Sequence, residues 1–467
     1  MTAAQRPERI AIVGAGPAGI AAAVTLVAAG WRPVVIDEQA APGGQIYRAA
    51  APGLECSYAQ RYGLDAEKAR HAHESFSSIS AAVDHLPGTL VWGRDGRMLC
   101  IAHSNGALDT LAFDHVIAAT GATDRQMPVP GWTMPGVYSL GGAQIALKHQ
   151  LAHIGRRTVF AGNGPLLYLV ASQYLRTGGG VAAVLDTSTK ADKLRALPAL
   201  AAKPGLALRG IRYAALLRAH GVPVHEGARV RAIERSGHEA CFSVAFCKGT
   251  SRSSVDCDAV ALGYGLQPES QLAELFDVDF VFDTSLRQWL PDVAADGSTG
   301  DALLPMAGDG CRVLGADAAA LMGERVAWAL AARLGAAVPA DRLAAIERRL
   351  QVERRFAQGL RTAFPLPPAS EHELPDETIV CRCEVVTGGE LRAASTQWDT
   401  AEINRLKAIT RCGMGRCQGR MCGSAAAEII AAHRQVDLAL VGRLRAQQPL
   451  KPIALTAGPS LGSSGCP

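Results

Sequence analysis

The chain has 467 residues, 48% hydrophobic and 19% charged, which allows roughly two to four domains with sizeable cores and excludes a disordered polymer. A net charge of +4 makes no case for nucleic acid. No uninterrupted apolar segment reaches the roughly 18 residues that a membrane span needs.

Twelve cysteines in a chain of this length point to thiols or metal ligands in a reducing compartment, the cytoplasm, rather than to a disulfide framework. The apolar run after Arg6 and Arg9 is interrupted by glycines and Pro17, so no cleaved secretory leader is expected.

Ile10 to Val13 reads as a buried parallel strand. Gly14, Gly16 and Gly19 follow as G-x-G-x-x-G and open an Ala-rich helix from Ile20 to Ala29, stopped by Gly30. The three glycines serve a tight turn, the approach of backbone to a pyrophosphate, and close helix–strand packing. The helix N-terminus offers amides and a positive dipole end to a diphosphate. Val34 to Ile36 is the second strand, and the acidic pair Asp37-Glu38 follows about 20 residues after Gly14. Either carboxylate could accept the adenosine ribose hydroxyls, and the spacing does not choose between them.

Ala41 to Arg48 contains Gly43-Gly44, where backbone can approach a flat ring, and Gln45, which could bond a flavin's polar edge; on local grounds alone an ordinary Pro-Gly turn is the better reading. Residues 51–108 are the least readable, and the spacings of His71, His73, His85 and His103 match no metal motif. Phe113 to Ala119 is another strand, ending in Thr120-Gly121, and Pro128 to Pro135 marks an interdomain loop.

Arg157 to Leu167 opens a second strand–glycine turn–helix unit, with Val181 to Leu185 as its next strand and Asp186 at the end. Leu167 stands where the third glycine belongs and no basic residue ends the second strand, so NAD(P) is not expected to bind productively. Short alternating strands fill Val222 to Leu262, with a turn at Ser236-Gly237-His238. Leu303 to Asp309 reads as a strand ending in Gly308-Asp309 before a helix from about Asp317 to Leu334. That order suits a flavin's ribityl chain, with Asp309 accepting a hydroxyl. Asp341 to Arg361 is a charged helix, 362–378 a Pro-rich linker, and 437–467 a tail expected to lie loosely on the surface.

Beyond the linker, Cys381 and Cys383 form C-x-C and Cys412 and Cys417 form C-x4-C. Four thiolates in two close pairs suit zinc or a 2Fe–2S cluster; a flavin in the same chain favours the cluster as an electron carrier. Gly413, Gly415 and Gly419 let the loop curl so that amides point at sulfur, and Arg382, Arg411, Arg416 and Arg420 would offset cluster charge. Cys422, a fifth thiol, reads as a small buried hydrophobe. No paired groups for proton abstraction from a substrate are visible, so no catalytic base is assigned.

With these motifs placed, nearly the whole chain resembles the flavoprotein α subunit of heteromeric amino-acid and opine dehydrogenases. That family includes hydrogen cyanide synthase, octopine and nopaline oxidases, D-hydroxyproline dehydrogenase, and relatives of the sarcosine oxidase α subunit. The resemblance rests on Gly14 to Gly19, Pro42 to Arg48, Ala119 to Ala122, Pro130-Gly-Trp132, Ala307-Gly-Asp309 and Thr410 to Cys422, the last similar to bacterioferritin-associated ferredoxin.

It implies an α/β fold with two dinucleotide-binding domains, like glutathione and thioredoxin reductases, plus a small helical 2Fe–2S domain. The FAD-binding domain would comprise 1–150 and 291–361, the second, degenerate nucleotide domain 151–290, and the cluster domain 379–436. The resemblance further implies FAD on the first domain and a partner β subunit of the D-amino-acid-oxidase type that carries its own FAD. It leaves room for FMN at the subunit interface, a downstream electron acceptor and a small ferredoxin-like subunit. The C-x-x-C of thioredoxin reductases is missing from 151–290.

Three readings compete: an electron-transferring subunit of a dehydrogenase that oxidises the C–N bond of an amino acid, imino acid or opine; a self-contained NAD(P)H reductase feeding the cluster; and a scaffold that keeps its cofactors for assembly only.

Overall fold

The computed structural model describes residues 8–237, 242–367 and 374–454. Short apolar runs make a first parallel sheet of β1 (Ile10–Val13), β2 (Val34–Ile36), β3 (Asp84–Leu86) and β4 (His115–Ala118), in the order β3-β2-β1-β4. Ala11 pairs with Val34 on one side and Val116 on the other, so β1 lies in the middle of this sheet. Residues 303–306 extend the sheet past β4 through the Ala118–Met306 bridge. Residues 51–108 supply a helix at Ala66–Ser78 and a three-stranded antiparallel sheet over 89–112.

A second parallel sheet contains β5 (Val137–Ser139), β6 (Thr158–Asn163), β7 (Val181–Asp186), β8 (Val224–Glu226) and β9 (Ala259–Tyr264), ordered β8-β7-β6-β9-β5. An antiparallel sheet spanning 228–257 sits on it, burying Val159, Ala183, Phe242 and Val244 together. The expected turn at Ser236-Gly237-His238 falls between two of its strands, and His238 lies outside the described residues.

Helix α1 (Pro17–Ala28) begins at Pro17, three residues before the expected start. A proline at the first helical position costs no hydrogen bond. Helix α2 (Pro165–Arg176) starts on a proline in the same way. Helix α3 (Ala316–Arg333) crosses α1 at small residues: a Cβ on Gly323 would sit 2.0 Å from the Ala18 carbonyl oxygen. The charged helix α4 (Ala340–Ala363) follows.

The C-terminal region packs α5 (Gly388–Gln397), α6 (Ile403–Thr410) and α7 (Gly423–Arg434) around Val380, Leu391, Leu406 and Ile430. Thr387 and Glu390 close a capping box at the start of α5.

This region is docked, not hung on a flexible arm. Arg125, nearly fully buried, pairs with Glu428 of α7, and Trp132 donates through Nε1 to the Ile379 carbonyl at 2.6 Å. The expected loose tail is also docked for part of its length. Leu450 is buried in the first domain's core, and its amide donates to the Trp92 carbonyl at 2.8 Å. Of the expected linker, 368–373 lies outside the described residues, as does 455–467 of the tail. Among the described residues no helix is long and apolar enough to cross a membrane.

Candidate functional site

The glycine turn at the end of β1 shows which glycines the fold itself requires. Gly14 has φ +107°, and a Cβ there would meet the Ala119 carbonyl oxygen at 2.3 Å. A Cβ on Gly19 would meet the Gly14 carbonyl oxygen at 1.7 Å. Gly16 differs. Its φ of −77° is open to any residue, and a Cβ there would meet only the Gly44 Cα, at 3.8 Å. The protein does not need glycine at this position, whereas a diphosphate lying on the start of α1 does. The neighbouring Gly44 is at φ +60°, and its own Cβ would come within 2.9 Å of the Gly16 Cα. The loop 42–48 therefore closes over the turn.

The two acids at the end of β2 have separate surroundings. Asp37 is buried, and its carboxylate accepts the Ala15 amide of the glycine turn and the Gln39 amide at 2.6 Å. Burial raises its pKa, against those two bonds. Glu38 is about half exposed and pairs with Lys451. Asp37 thus holds the turn, while the Glu38 carboxylate stays at the surface.

In the covering loop, Gln45 accepts from the buried Arg48 at 2.7 Å. Lys148 donates to the Ile46 carbonyl at 2.8 Å, and burial pulls its pKa down to about 8. His73 is held between the Tyr58 hydroxyl and the Tyr47 carbonyl.

Across the crevice, Thr120 donates to the Glu269 carbonyl at 2.5 Å, and Gly121 has open space where a Cβ would point. Gly308 (φ +74°) approaches Ala18 of α1. Asp309 accepts the Leu314 and Gly315 amides at 2.8 and 3.0 Å, fixing the loop that leads into α3, and burial raises its pKa. Gly16, Gly44, Thr120, Gly121, Gly308 and Asp309 thus border one crevice at the C-terminal edge of the first sheet. A cradle that a Cβ would fill, a helix N-terminus and a carboxylate at the far end fit FAD.

The second nucleotide unit is built differently. Gly162 keeps its packing role, since a Cβ there would lie 1.7 Å from the Gly263 carbonyl oxygen. Leu167 is fully buried in the core. Asp186, placed where a ribose acid would stand, is fully buried and accepts from Tyr168 (2.6 Å), Ser188 (2.7 Å) and Lys193 (2.8 Å). The segment after α4 then crosses the turn: the Asn163 amide donates to the Phe364 and Pro365 carbonyls at 3.4 and 3.0 Å. The Phe364 ring lies beside Tyr168, and the Lys193 ammonium sits over it.

The cysteines gather in the C-terminal region. The sulfurs of Cys381, Cys412 and Cys422 lie within 4.8 Å of one another, all three residues buried. Cys417 neighbours both Cys422 and the exposed Cys383, and Cys383 accepts the Cys417 amide. Cys422, expected to be a mere buried hydrophobe, is therefore inside the thiol cluster. The signal for it was the repeated spacing Cys412-x4-Cys417-x4-Cys422.

Hydrogen bonds from Cys412 and then Cys422 pull the Cys381 thiol down to about 2, and Cys412 is pushed up to about 12 in turn. Cys417, accepting from Cys422, falls to about 6. As the glycine pattern implied, the Gly413 and Gly419 amides point at sulfur, toward Cys381 and Cys417. Of the four arginines expected to offset cluster charge, Arg411 and Arg420 are paired with Glu384 and Glu269. The donor set and its amides suit a sulfur-ligated metal or cluster.

A family model described as pyridine nucleotide-disulphide oxidoreductase matches residues 8–298. The chain is 35% identical over 465 residues to an opine oxidase subunit of Agrobacterium tumefaciens (strain Ach5), covering 95% of this chain and 90% of that protein. It is 34% identical over 475 residues to hydrogen cyanide synthase subunit HcnB of Pseudomonas aeruginosa, covering 97% and 99%. Among solved structures, L-proline dehydrogenase from P. horikoshii superposes with a TM-score of 0.68 at 17% identity, over 96% of this chain and 79% of that one, a likeness of fold.

Proposed function

This chain belongs to the pyridine nucleotide-disulphide oxidoreductase family, with subunits of opine oxidase and of hydrogen cyanide synthase among its relatives, and from that premise we propose that it is the electron-transferring subunit of a heteromeric dehydrogenase. Its substrate class would be an amino acid, imino acid or opine, oxidised at the C–N bond on a partner flavoprotein of the D-amino-acid-oxidase type. The carrying observation is a buried thiol cluster around Cys381, Cys412 and Cys422 whose loop is held against the segment 266–274, Gln271 donating to the Gln418 carbonyl (2.8 Å) and Ser424 donating to the Gln267 side-chain oxygen (2.9 Å).

FAD, when bound, takes two electrons together and a 2Fe–2S centre passes them singly, which is the chemistry a relay needs. The α1 N-terminus and Gly16 would seat the diphosphate, Glu38 the adenosine ribose, Asp309 the ribityl chain, and Gly44 and Gln45 the ring side. Cys381, Cys383, Cys417 and Cys422 are the favoured thiolates, because Cys422 neighbours both Cys381 and Cys417. Cys412, the ligand expected from the C-x4-C pair, neighbours Cys381 and Cys422. Five free thiols suit the reducing cytoplasm.

The test is to assay the chain alone and co-expressed with a D-amino-acid-oxidase-like partner from its own operon, using a dye acceptor and a panel of D-amino acids, proline derivatives and opines. Substrate-dependent dye reduction should need both chains. Reduction by this chain alone would sink the reading, and a flavin that stays oxidised in the active pair would favour the scaffold.

A further inference from the structure

Among the described residues, Glu269 has bonds that reach both halves of the proposed relay. Its amide donates to the Gly121 carbonyl at 2.9 Å, and its carbonyl accepts the Thr120 hydroxyl. Both partners lie on the turn that borders the flavin crevice. Its carboxylate faces the other way and takes two bonds from Arg420, from Nε at 2.5 Å and Nη2 at 3.0 Å. Arg420 stands between Cys417 and Cys422 in the thiol loop. Its amide donates to the Cys417 carbonyl at 3.2 Å, and its Nη1 donates to the Leu450 carbonyl at 2.9 Å. The two side chains are only 11% and 12% exposed, so solvent screens the pair little.

We propose that the Glu269–Arg420 pair is a positioning brace that fixes the thiol loop 412–422 against the flavin-facing turn Thr120–Gly121, and so sets the separation across which electrons leave the flavin. This rests on the relay reading. A two-pronged guanidinium–carboxylate contact restrains both distance and orientation, which a single ammonium cannot do. Electron transfer between fixed centres falls steeply as they move apart. The pair also balances charge: Arg420 next to the cysteines favours electron uptake there, and Glu269 offsets it.

The two roles separate experimentally. Arg420→Ala, Arg420→Lys and Glu269→Gln are prepared in the full chain, with FAD, iron and sulfide measured per chain. The flavin is then photoreduced, its electron delivery to the iron centre is followed, and the midpoint potential of that centre is titrated. Arg420→Ala should lower the potential and Glu269→Gln should raise it. Both should slow delivery relative to the native chain. Arg420→Lys should return the potential toward that of the native chain and leave delivery slow. Delivery that follows the potential alone, or is unchanged in Arg420→Ala with both cofactors bound, would overturn the brace.

Hydrogen exchange covers the case of a variant that loses a cofactor. Glu269→Gln should speed exchange in both 118–124 and 412–422 and leave 388–397 as in the native chain, and no change in the first two segments would overturn the brace. A native chain without iron defeats the relay reading, while the exchange result still decides the brace.

Discussion

Glu38 and Asp37 sit side by side in the sequence and do different work. Asp37 is committed to two amides in a buried site, so Asp37→Ala should strand both donors and cost about 1–3 kcal/mol of stability, read as a lowered denaturation midpoint. Glu38→Gln should leave stability within about 0.5 kcal/mol, as an exposed ion pair allows, while weakening FAD binding measured by equilibrium dialysis. Equal effects of the two substitutions would reject this division. Spacing alone could not make the choice, because an acid one residue earlier or later reaches much the same place; burial and partners separate the two, and neither is written locally.

The cysteines give a second residue-scale prediction. Cys422→Ser should lose iron and sulfide with FAD retained, whereas Cys412→Ser should keep a cluster. The reverse result would restore Cys412 as the fourth ligand. The sequence announced a thiolate site clearly through its spacings, but it could not rank five thiols competing for four positions. That ranking depends on how the 412–422 loop folds back on Cys381.

At the level of elements, the glycines divide by what they approach. Gly19 lies against the Gly14 carbonyl and Gly323 against the Ala18 carbonyl, so Gly19→Val or Gly323→Val should push backbone apart and cost more than about 4 kcal/mol, or prevent folding. Gly16→Ala should keep the native stability within about 1 kcal/mol, since a Cβ there meets only the Gly44 Cα at 3.8 Å, yet purify with little flavin if a diphosphate needs close backbone approach at this turn. A flavin-replete Gly16→Ala protein would remove FAD from this crevice.

The strand–turn–helix reading of 10–36 was legible because three signals agreed: an apolar run, glycines at fixed spacing and a following helix. Helices α3 and α4 were legible to within two residues at each end. The stretch 51–108 was not, because its strands pair among themselves in an antiparallel sheet, and cross-strand pairing leaves only a weak local pattern.

For the whole molecule, the question is which way electrons enter. The fold has two dinucleotide units, and a reductase would load electrons from NAD(P)H on the second. Three features oppose that here. Leu167 fills the place of the third glycine and is packed into the core beneath the turn. Asp186 is buried under Tyr168, Ser188 and Lys193, so its carboxylate is already committed where a ribose would need it. The Phe364–Pro365 backbone is bonded to Asn163 on the turn itself.

The first feature could be read in the sequence, where Leu167 was visible. The other two could not: the commitment of Asp186 depends on how Tyr168, Ser188 and Lys193 converge on it, and the third depends on a linker some 200 residues away folding back over the turn. That same linker leads to the cysteine region, whose far end is tied to the first domain at Leu450. The linker and Leu450 thus tie the thiol region both to the turn of the second unit and to the core of the first domain.

The purified flavin-loaded chain should accordingly resist bleaching by NADH or NADPH at up to about 1 mM, the upper range of ordinary substrate affinities. Phe364→Ala removes the ring beside Tyr168 but leaves Asp186 committed, so that variant should resist as well, which separates a site closed by its own core from one closed by the linker alone. Bleaching of Phe364→Ala but not of the native chain would assign the closure to the linker. Rapid bleaching of the native chain at micromolar NADH would move the donor from a partner flavoprotein to the nucleotide and restore the reductase reading.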